Sequence, residues 1–360
     1  MWCNGSTQVL GTWGAVRVRH ILLKSFQEER MDKKISVIIP AYNAERTIQR
    51  TLASLISNKD YIYDIQVIDD HSSDNTVEKA KEFYDILPQL SIWTSDGYHN
   101  PGLARKTGLL LSSGDFVTFV DSDDCITPTS LYYVLNELED DTLLLHSKTM
   151  YFESGNFVAE NVGYMDNSCG GNFYRRDYLI DNSLFPHNEL TLSEDEYFND
   201  IIDKQIKLDS FEQCVNHFDY PVYQVYHDID FGQSHAIRNW ADYCIKSHLL
   251  YKEYVAEKFK DTAVRDLIIK EYCNNFIFAY FMFQALLLDK DLDNVEVRNQ
   301  LIYFKRAILY FERNFYERDY LISFFFGRAD QCESLWQSAI DCTGIEFSEY
   351  LQFDTFVEDL

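Results

Sequence analysis

The sequence is poor in basic residues. It contains 32 Lys and Arg residues against 58 Asp and Glu residues, which gives a formal net charge of −26 at pH 7. A surface of that sign repels a nucleic-acid backbone and an anionic lipid surface unless a dense basic patch intervenes. The sequence has no dense run of Lys and Arg. We therefore expect no binding to nucleic acid.

Closely spaced cysteines and long apolar runs are missing as well. The eight cysteines are scattered singly, without a C-x-x-C pair, which favours reduced thiols in a cytoplasm over a zinc site, a redox site or a disulfide framework. The longest apolar run, at residues 276–288, has 13 residues and is too short to span a bilayer. It predicts a buried helix. We expect a cytoplasmic protein without a transmembrane segment, with any membrane contact peripheral and at the inner face.

Composition divides the chain into three parts. With 46% hydrophobic residues and only six prolines, 360 residues can bury two domain cores. Residues 1–30 have no uninterrupted apolar stretch and are predicted to be an extension, either disordered or a non-native start. Residues 31–235 are predicted to form an α/β domain. Residues 236–360 carry apolar and aromatic residues at helical spacing, which predicts an all-α C-terminal domain that could bind an acceptor, a partner or a second copy of the chain.

Strands and helices alternate in the first half of the chain. The predicted strands are residues 35–40, 64–69, 90–95 and 115–120. The predicted helices between them are residues 44–57, 76–87 and 102–112. This alternation predicts β-α-β units and a mainly parallel sheet with helices on both faces. In such sheets ligands bind beyond the carboxyl ends of the strands.

An acidic cluster follows the fourth predicted strand, at Asp121, Asp123 and Asp124. Carboxylates share a small volume only when they are protonated, solvated or bridged by a cation, and hard oxygen ligands at D-x-D spacing suit Mg²⁺ or Mn²⁺. These ions bind through one or two carboxylates together with substrate phosphates, so a diphosphate is the implied ligand. The alternative is that the acids cap a helix beginning near Thr129 or lie in a solvated turn.

Five motifs in order give the cluster a context. They are SVIIPAYNAE (36–45), VIDDHSSDNT (67–76), NPGLARKTGL (100–109), FVDSDD (119–124) and SEDEYF (193–198). Together, over roughly residues 33–232, they resemble the family 2 glycosyltransferases, which have the GT-A nucleotide-sugar-binding fold. The resemblance implies that residues 31–235 are a GT-A catalytic domain. It offers nothing beyond residue 235.

The resemblance also implies roles for individual residues. The nucleotide pocket would be lined by Pro40, Ala41, Tyr42, Asn43 and, at its edge, Glu45. Asp70 would accept a hydrogen bond from the imide of uracil or thymine, and Arg105 would approach the diphosphate or the sugar. Asp121 and Ser122 would contact the ribose or the metal, Asp123 would bind Mn²⁺ or Mg²⁺, and His227 would be a further metal ligand or diphosphate contact.

The acidic pair Glu194-Asp195 resembles the catalytic pair of the family. Asp195 would be the base of an inverting displacement, taking the proton from the acceptor hydroxyl as its oxygen attacks the anomeric carbon. The alternative is a helix N-terminus enriched in acids that complement the helix dipole, with Ser193 as N-cap. Both interpretations can hold together.

Two positions depart from the family pattern. Lys106 stands where an asparagine is usual, and it is interpreted as an exposed helix lysine, with charge neutralisation at a phosphate as the alternative. His71 stands where glycine is common, which would affect the geometry of the turn.

The sequence thus predicts an inverting, metal-dependent transferase that moves a sugar from a UDP-sugar to a hydroxyl of a glycan or lipid-linked oligosaccharide. The product would be a capsule, lipopolysaccharide or exopolysaccharide at the cell surface. One alternative is a catalytically silent relative that binds nucleotide sugar or acts as a scaffold. A nucleotidyltransferase is disfavoured because AYNAERTIQR, at residues 41–50, is not a glycine-rich basic loop. The donor sugar, the acceptor linkage and the oligomeric state are left open by these motifs.

Overall fold

The computed structural model describes residues 33–97, 100–153, 155–160, 168–187, 190, 194–227, 240–288 and 294–314. The predicted N-terminal extension lies outside the described residues, so its nature stays a prediction.

Nine described strands form one sheet, in the spatial order β3-β2-β1-β4-β8-β6-β9-β5, with β7 paired to β6. Their bounds are β1 Ile35–Ala41, β2 Ile62–Asp69, β3 Leu90–Thr94, β4 Phe116–Phe119, β5 Cys125–Ile126, β6 Leu144–Glu153, β7 Asn156–Glu160, β8 Asn172–Arg175 and β9 Val215–His227.

The half of the sheet from β3 to β4 is parallel, as the alternation of strands and helices predicts. β1 pairs in parallel with β2 on one side and with β4 on the other, and β2 pairs in parallel with β3. The expectation of a mainly parallel sheet fails beyond β4, because β8 is antiparallel to both β4 and β6. β5 is likewise antiparallel to β9. The α/β class is therefore confirmed, with a mixed sheet.

Nine described α-helices accompany the sheet. Their bounds are α1 Ile48–Leu55, α2 Thr76–Lys81, α3 Pro101–Leu111, α4 Ser130–Glu137, α5 Arg176–Asp181, α6 Glu194–Asp209, α7 Trp240–Phe259, α8 Arg265–Leu288 and α9 Asn294–Asn314. α1 and α2 are shorter than predicted, since helical periodicity in the sequence continues into a 3₁₀ turn after α1 and into an irregular turn after α2.

The helices cover both faces of the sheet, because successive strand residues point to opposite sides and both sides are apolar. On one face α1, α2 and α4 pack through residues such as Leu52, Ala80 and Val134. On the other face α3 and α6 pack through residues such as Leu109 and Phe198. The C-terminal helices extend this second core rather than forming a core of their own in the described residues.

The described C-terminal segments are helical. Tyr272 and Phe276 of α8 and Phe304 and Phe311 of α9 are buried in the core that α6 shares. The apolar run at 276–288 lies in α8, and Phe276 and Ala279 of this run are buried. The burial of the rest of the run stays a prediction. No described helix combines the length and apolarity needed to cross a bilayer. A separate all-α domain stays a prediction.

A buried network of charges links α6 to α7 and α8. The Lys204 ammonium lies 2.6 Å from an Asp200 oxygen and 2.9 Å from a Glu271 oxygen. The Lys252 ammonium lies 2.7 Å from the second oxygen of Asp200. Both lysines are buried. Without its carboxylate partners, each buried ammonium group would destabilise the folded state.

Gly108 marks the closest approach of α3 to β1, since a Cβ there would lie 2.3 Å from the Ile38 Cγ2 atom. We expect Gly108→Ala to lower the free energy of unfolding by about 1–3 kcal/mol through overpacking. Helix propensity alone predicts the opposite sign, a gain of up to about 1 kcal/mol. Urea denaturation of Gly108→Ala decides between these two expected signs. The control is Leu110→Ala, at an exposed position of α3. A Gly108→Ala variant more stable than the unaltered protein would contradict the close packing.

Candidate active site

The site lies at the edge of the sheet where the parallel strands end. The register pairs Ala41 with Asp69 and Ile38 with Phe119, so the segments that follow β1, β2 and β4 begin at this one edge. The chain runs from β1 to β2 and β3 on one side of β1 and then crosses back to β4 on its other side. Ligands of open α/β sheets bind at such a switch point, here between β1 and β4. The predicted nucleotide and metal residues flank it.

The segments after β1 and β2 are joined by hydrogen bonds. The backbone N–H of Asn43 donates to the Ser72 hydroxyl over 2.9 Å, and the Asn43 side-chain oxygen accepts from the Ser73 N–H over 2.8 Å. The Glu45 carboxylate accepts hydrogen bonds from the backbone and side chain of Asn75. Asn43 has a φ of 48°, a left-handed conformation that asparagine tolerates better than most residues. Asn43 and Glu45, which were predicted to line the nucleotide pocket, therefore hold the segment after β2 in place.

Pro40, Ala41 and Asp70, which were also predicted to line the nucleotide pocket or bind the base, are buried where β1 and β2 end. Asp70 is 3% exposed, and its carboxylate accepts the backbone N–H of Asn100, the N-cap of α3. The Asp70 N–H donates to the Ala41 carbonyl over 2.8 Å. Tyr42 is only half-buried.

The departure at His71 has a backbone explanation. Its φ is 62°, in the left-handed region that glycine enters without strain and that most other residues avoid. A ring nitrogen of His71 lies 3.0 Å from the Ser95 carbonyl, a contact that glycine lacks. The side chain thus offsets part of the cost of the turn.

The D-x-D segment, residues 121–124, is held by its backbone. The Arg50 guanidinium of α1 donates to the Asp123 carbonyl over 2.6 Å, and the Thr51 hydroxyl donates to the Ser122 carbonyl over 2.9 Å. Because these contacts use carbonyl groups, they fix the turn without occupying the side chains of Asp121, Ser122 and Asp123. All three side chains are half-buried.

Asp124 is the inward-facing member of the acidic cluster. Its carboxylate accepts the Tyr223 hydroxyl over 2.8 Å and the Tyr226 N–H over 3.0 Å, both from β9. Burial raises the pKa of Asp124 well above its usual range, and the charges of Asp123 and Asp121 raise it further. Asp124 is thus a structural anchor, and the carboxylates of Asp121 and Asp123 remain at the edge.

Arg105 bridges the two acidic motifs. One terminal nitrogen lies 2.8 Å from an Asp121 oxygen, and the other lies 2.6 Å from a Glu194 oxygen. The side chains of Arg105 and Glu194 are 7% and 9% exposed, whereas that of Asp121 is 42% exposed. The resemblance implied that Arg105 approaches the diphosphate or sugar. In the structure both terminal nitrogens of the buried guanidinium are engaged by carboxylates, and an approach to the diphosphate or sugar stays a prediction.

Asp195 lies next to this bridge, in the first turn of α6. Desolvation raises the pKa of its carboxyl to about 7, the adjacent charge of Glu194 acts in the same direction, and Arg105 opposes it. A carboxylate with a pKa near neutrality can accept a proton effectively in a transition state. The predicted N-cap, Ser193, lies outside the described residues.

The donor set at the edge fits a hard divalent cation. Asp121 and Asp123 offer carboxylate oxygens that are only partly buried, and Arg105 balances the charge of Asp121. Within the described ranges no three His, Cys, Asp or Glu side chains converge on one point. Two carboxylates are enough for Mg²⁺ or Mn²⁺ when phosphates complete the shell. His227 ends β9 opposite Glu153, but its side chain lies outside the described residues.

Lys106 is not an exposed helix lysine. It is half-buried, and its ammonium lies 4.9 Å from the centre of the Phe185 ring, a cation–π contact. The interpretation as an exposed lysine is therefore wrong, and charge neutralisation at a phosphate stays a prediction.

Residues 36–200 match the family model described as Glycosyl transferase family 2. The chain carries a glycosyltransferase family 2 domain. The match begins in β1 and ends in α6, so this transferase domain includes Arg105 and both of its carboxylate partners. The family resemblance stated from the five motifs is confirmed.

Two curated relatives are similar to the transferase domain. The UDP-Glc:alpha-D-GlcNAc-diphosphoundecaprenol beta-1,3-glucosyltransferase WfgD of Escherichia coli is 32% identical over 153 residues, which are 42% of this chain and 55% of WfgD. The poly(ribitol-phosphate) beta-N-acetylglucosaminyltransferase TarP of Staphylococcus aureus is 31% identical over 158 residues, 42% of this chain and 46% of TarP. The chain thus spans about half the length of these relatives.

A solved structure shares the fold. The crystal structure of S. aureus TarS 1-349 in complex with UDP-GlcNAc superimposes with a TM-score of 0.57 and 22% identity, over 76% of this chain and 81% of that chain. At this identity the likeness shows the fold alone.

The motifs did not reveal every residue that shapes the transferase site. Arg50, Thr51 and Tyr223 hold the D-x-D segment, yet they lie 73, 71 and 102 residues from their respective partners. Each lies in an element that carries other polar residues, and nothing local in the sequence identifies its partner.

Proposed function

We propose that the protein is an inverting glycosyltransferase that transfers a sugar from a UDP-sugar to a hydroxyl group of a cell-surface glycan or its lipid-linked precursor. The observation that carries the proposal is the Arg105 bridge. It brings Asp121 of the D-x-D segment and Glu194, the neighbour of Asp195, onto one side chain. This contact supports our proposal that the candidate diphosphate-binding motif and the candidate base belong to a single site.

The donor is inferred from the pocket and from the relatives. The printed name of WfgD includes UDP-Glc, and TarS was crystallised with UDP-GlcNAc. In this chain the segments after β1 and β2 frame a pocket with Tyr42 at its margin and Asp70 at its base. We assign the uracil ring to this pocket, with the ribose toward Asp121 and Ser122.

The acceptor is inferred from the chemistry that the relatives' names describe. One name specifies a GlcNAc joined through a diphosphate to a lipid, and the other a polymer of ribitol phosphate. Each of these acceptors presents a sugar or polyol hydroxyl, the group that Asp195 can deprotonate. A hydroxyl on such a glycan is therefore the proposed nucleophile.

The chemistry of the step follows from the residues. The acceptor oxygen forms a bond to the anomeric carbon from the side opposite the diphosphate, Asp195 takes the hydroxyl proton, and the bond from the anomeric carbon to the phosphate oxygen breaks with its electron pair left on UDP. Asp121 and Asp123 would hold Mn²⁺ or Mg²⁺, which when bound supplies positive charge to the departing diphosphate. Arg105 keeps Glu194 paired, so that the charge beside Asp195 stays fixed in position.

Nucleotide binding tests the donor half of the proposal. Calorimetric titration with UDP, dTDP, GDP and CDP, each with Mn²⁺ and with a chelator, should show binding of UDP that weakens when the metal is removed. Asp123→Ala should lower the affinity for UDP in the presence of Mn²⁺ by about 100-fold, because it removes a proposed metal ligand.

The matched control is Asp141→Ala, which removes an exposed carboxylate in the loop between α4 and β6. It should bind UDP as the unaltered protein does. If the unaltered protein binds none of the four nucleotides with or without metal, the transferase proposal fails and a silent scaffold remains.

A further inference from the structure

Tyr223 of β9 contacts the D-x-D segment at two points through one oxygen. Its hydroxyl accepts the backbone N–H of Asp121 over 3.0 Å and donates to the Asp124 carboxylate over 2.8 Å. The first contact lies where the segment begins and the second where it ends. One fully buried hydroxyl group therefore spans the turn that carries Asp121 and Asp123.

The Tyr223 ring is packed tightly against the backbone of Gly170. A Cβ on Gly170 would lie 2.5 Å from the ring, so the ring lies directly against the backbone of residue 170. The strand on which it stands is also tied to the turn, since β5 pairs with β9 at Ile126 and Tyr223. The oxygen is thus held in place by the sheet itself.

The remaining backbone groups of the turn are fixed as well. The Asp124 N–H donates to the Asp121 carbonyl over 3.0 Å, and the Thr51 hydroxyl donates a hydrogen bond to the Ser122 carbonyl. A metal site with only two carboxylates depends on their separation being set before the metal arrives, since outer contacts orient the ligands.

We propose that Tyr223 is a positioning residue for the proposed donor site: its hydroxyl, together with that of Thr51, sets the spacing of the Asp121 and Asp123 carboxylates for a divalent cation. The inference rests on the proposed function. Both hydroxyl groups are on buried side chains. Each acts through the backbone or the Asp124 anchor, and removing one loosens the ligand pair while leaving both carboxylates in the chain.

The test is Tyr223→Phe, which removes one oxygen and keeps the ring against Gly170. UDP binding is titrated at a series of Mn²⁺ concentrations. The Mn²⁺ concentration that gives half-maximal UDP binding should rise by about 10-fold to 100-fold, as for the loss of other contacts that orient metal ligands. The weak UDP binding that remains with chelator should stay unchanged. A purely structural role would lower the melting temperature without this shift in metal dependence.

The matched control is Tyr272→Phe. Its hydroxyl is equally buried and donates to the Ala307 carbonyl over 3.0 Å, but it lies between α8 and α9. This variant should lose a similar amount of thermal stability and keep the metal dependence of the unaltered protein. If Tyr223→Phe does not fold, Thr51→Val removes another hydroxyl contact to the same turn at nearly constant volume and should shift the metal dependence in the same direction.

An unchanged metal dependence in the folded variant overturns the positioning role, while UDP binding by the unaltered protein would leave the proposed function standing. Absence of UDP binding by the unaltered protein at every Mn²⁺ concentration overturns both proposals.

Discussion

Asp195→Asn is expected to lower kcat for sugar transfer by about 10²–10⁴-fold, the usual contribution of a positioned general base. The amide keeps the shape of the side chain but cannot take the acceptor proton. UDP binding should stay within a few-fold of normal, because Asp195 lies on α6 and not on the loops that frame the donor pocket. Parallel assays of transfer and of UDP affinity measure the two quantities separately.

The same residue should set the pH dependence of the reaction. The pKa of Asp195 is raised to about 7, so the carboxyl is increasingly protonated below that pH and cannot act as a base. The rate with saturating donor should therefore rise as the pH increases through about 7. The small residual rate of Asp195→Asn should lack this dependence.

Glu196→Gln is the matched control, since it also removes one carboxylate from the first turn of α6. The charge of Glu196 raises the pKa of Asp195, so this variant should retain most of its activity and move the rise in rate to slightly lower pH. A loss in Glu196→Gln as large as that in Asp195→Asn would contradict the assignment of the base.

Arg105→Met is expected to lower the free energy of unfolding by about 3–5 kcal/mol, the cost of leaving a buried charge without its partner. Glu194 bears most of this cost, because Asp121 is partly exposed and water can compensate it. Arg105 also lowers the pKa of Asp195, so its removal should move the rise in rate to higher pH. Denaturant unfolding and a pH–rate profile measure the two effects.

Arg306→Met provides the comparison for stability. Arg306 pairs with Glu253 over 2.8 Å at an arginine side chain that is 49% exposed, and such pairs contribute at most about 1 kcal/mol. Arg105→Lys should recover part of the lost stability, since a lysine restores the charge but cannot hold two carboxylates with separate nitrogens. Equal losses in Arg105→Met and Arg306→Met would contradict the bridge as a buried ion pair.

The parallel part of the sheet could be predicted from the sequence because its signals are local. Strands β1 to β4 are short β-branched or aromatic runs separated by helical periodicity, and the sequence predicts each within two residues of its bounds. β5 has two residues, too few to show a period, and β8 has a polar residue at each end and no β-branched residue. Their antiparallel pairing depends on contacts with distant strands, so the mixed half of the sheet could not be predicted.

The residues of the candidate site could likewise be predicted only where their signals are local. The motifs identified Asp121, Asp123 and Asp195 because each follows or begins a recognisable element. They did not show that Arg105 pairs with Glu194, which is 89 residues away. A side chain's partner is decided by the packing of whole elements, here of α3 between β1 and α6, and no local pattern records that packing.

The charge network between α6, α7 and α8 indicates which part of the chain can fold by itself. The family match stops at residue 200, which is the aspartate that holds both Lys204 and Lys252. A chain cut at residue 200 would end inside α6 and leave the Asp200 carboxylate without either ammonium group, and a cut between α7 and α8 would remove the Glu271 partner of Lys204. We therefore expect residues 36–200 not to fold by themselves, because the packing of α6, the helix that carries Asp195, depends on the helices that follow it.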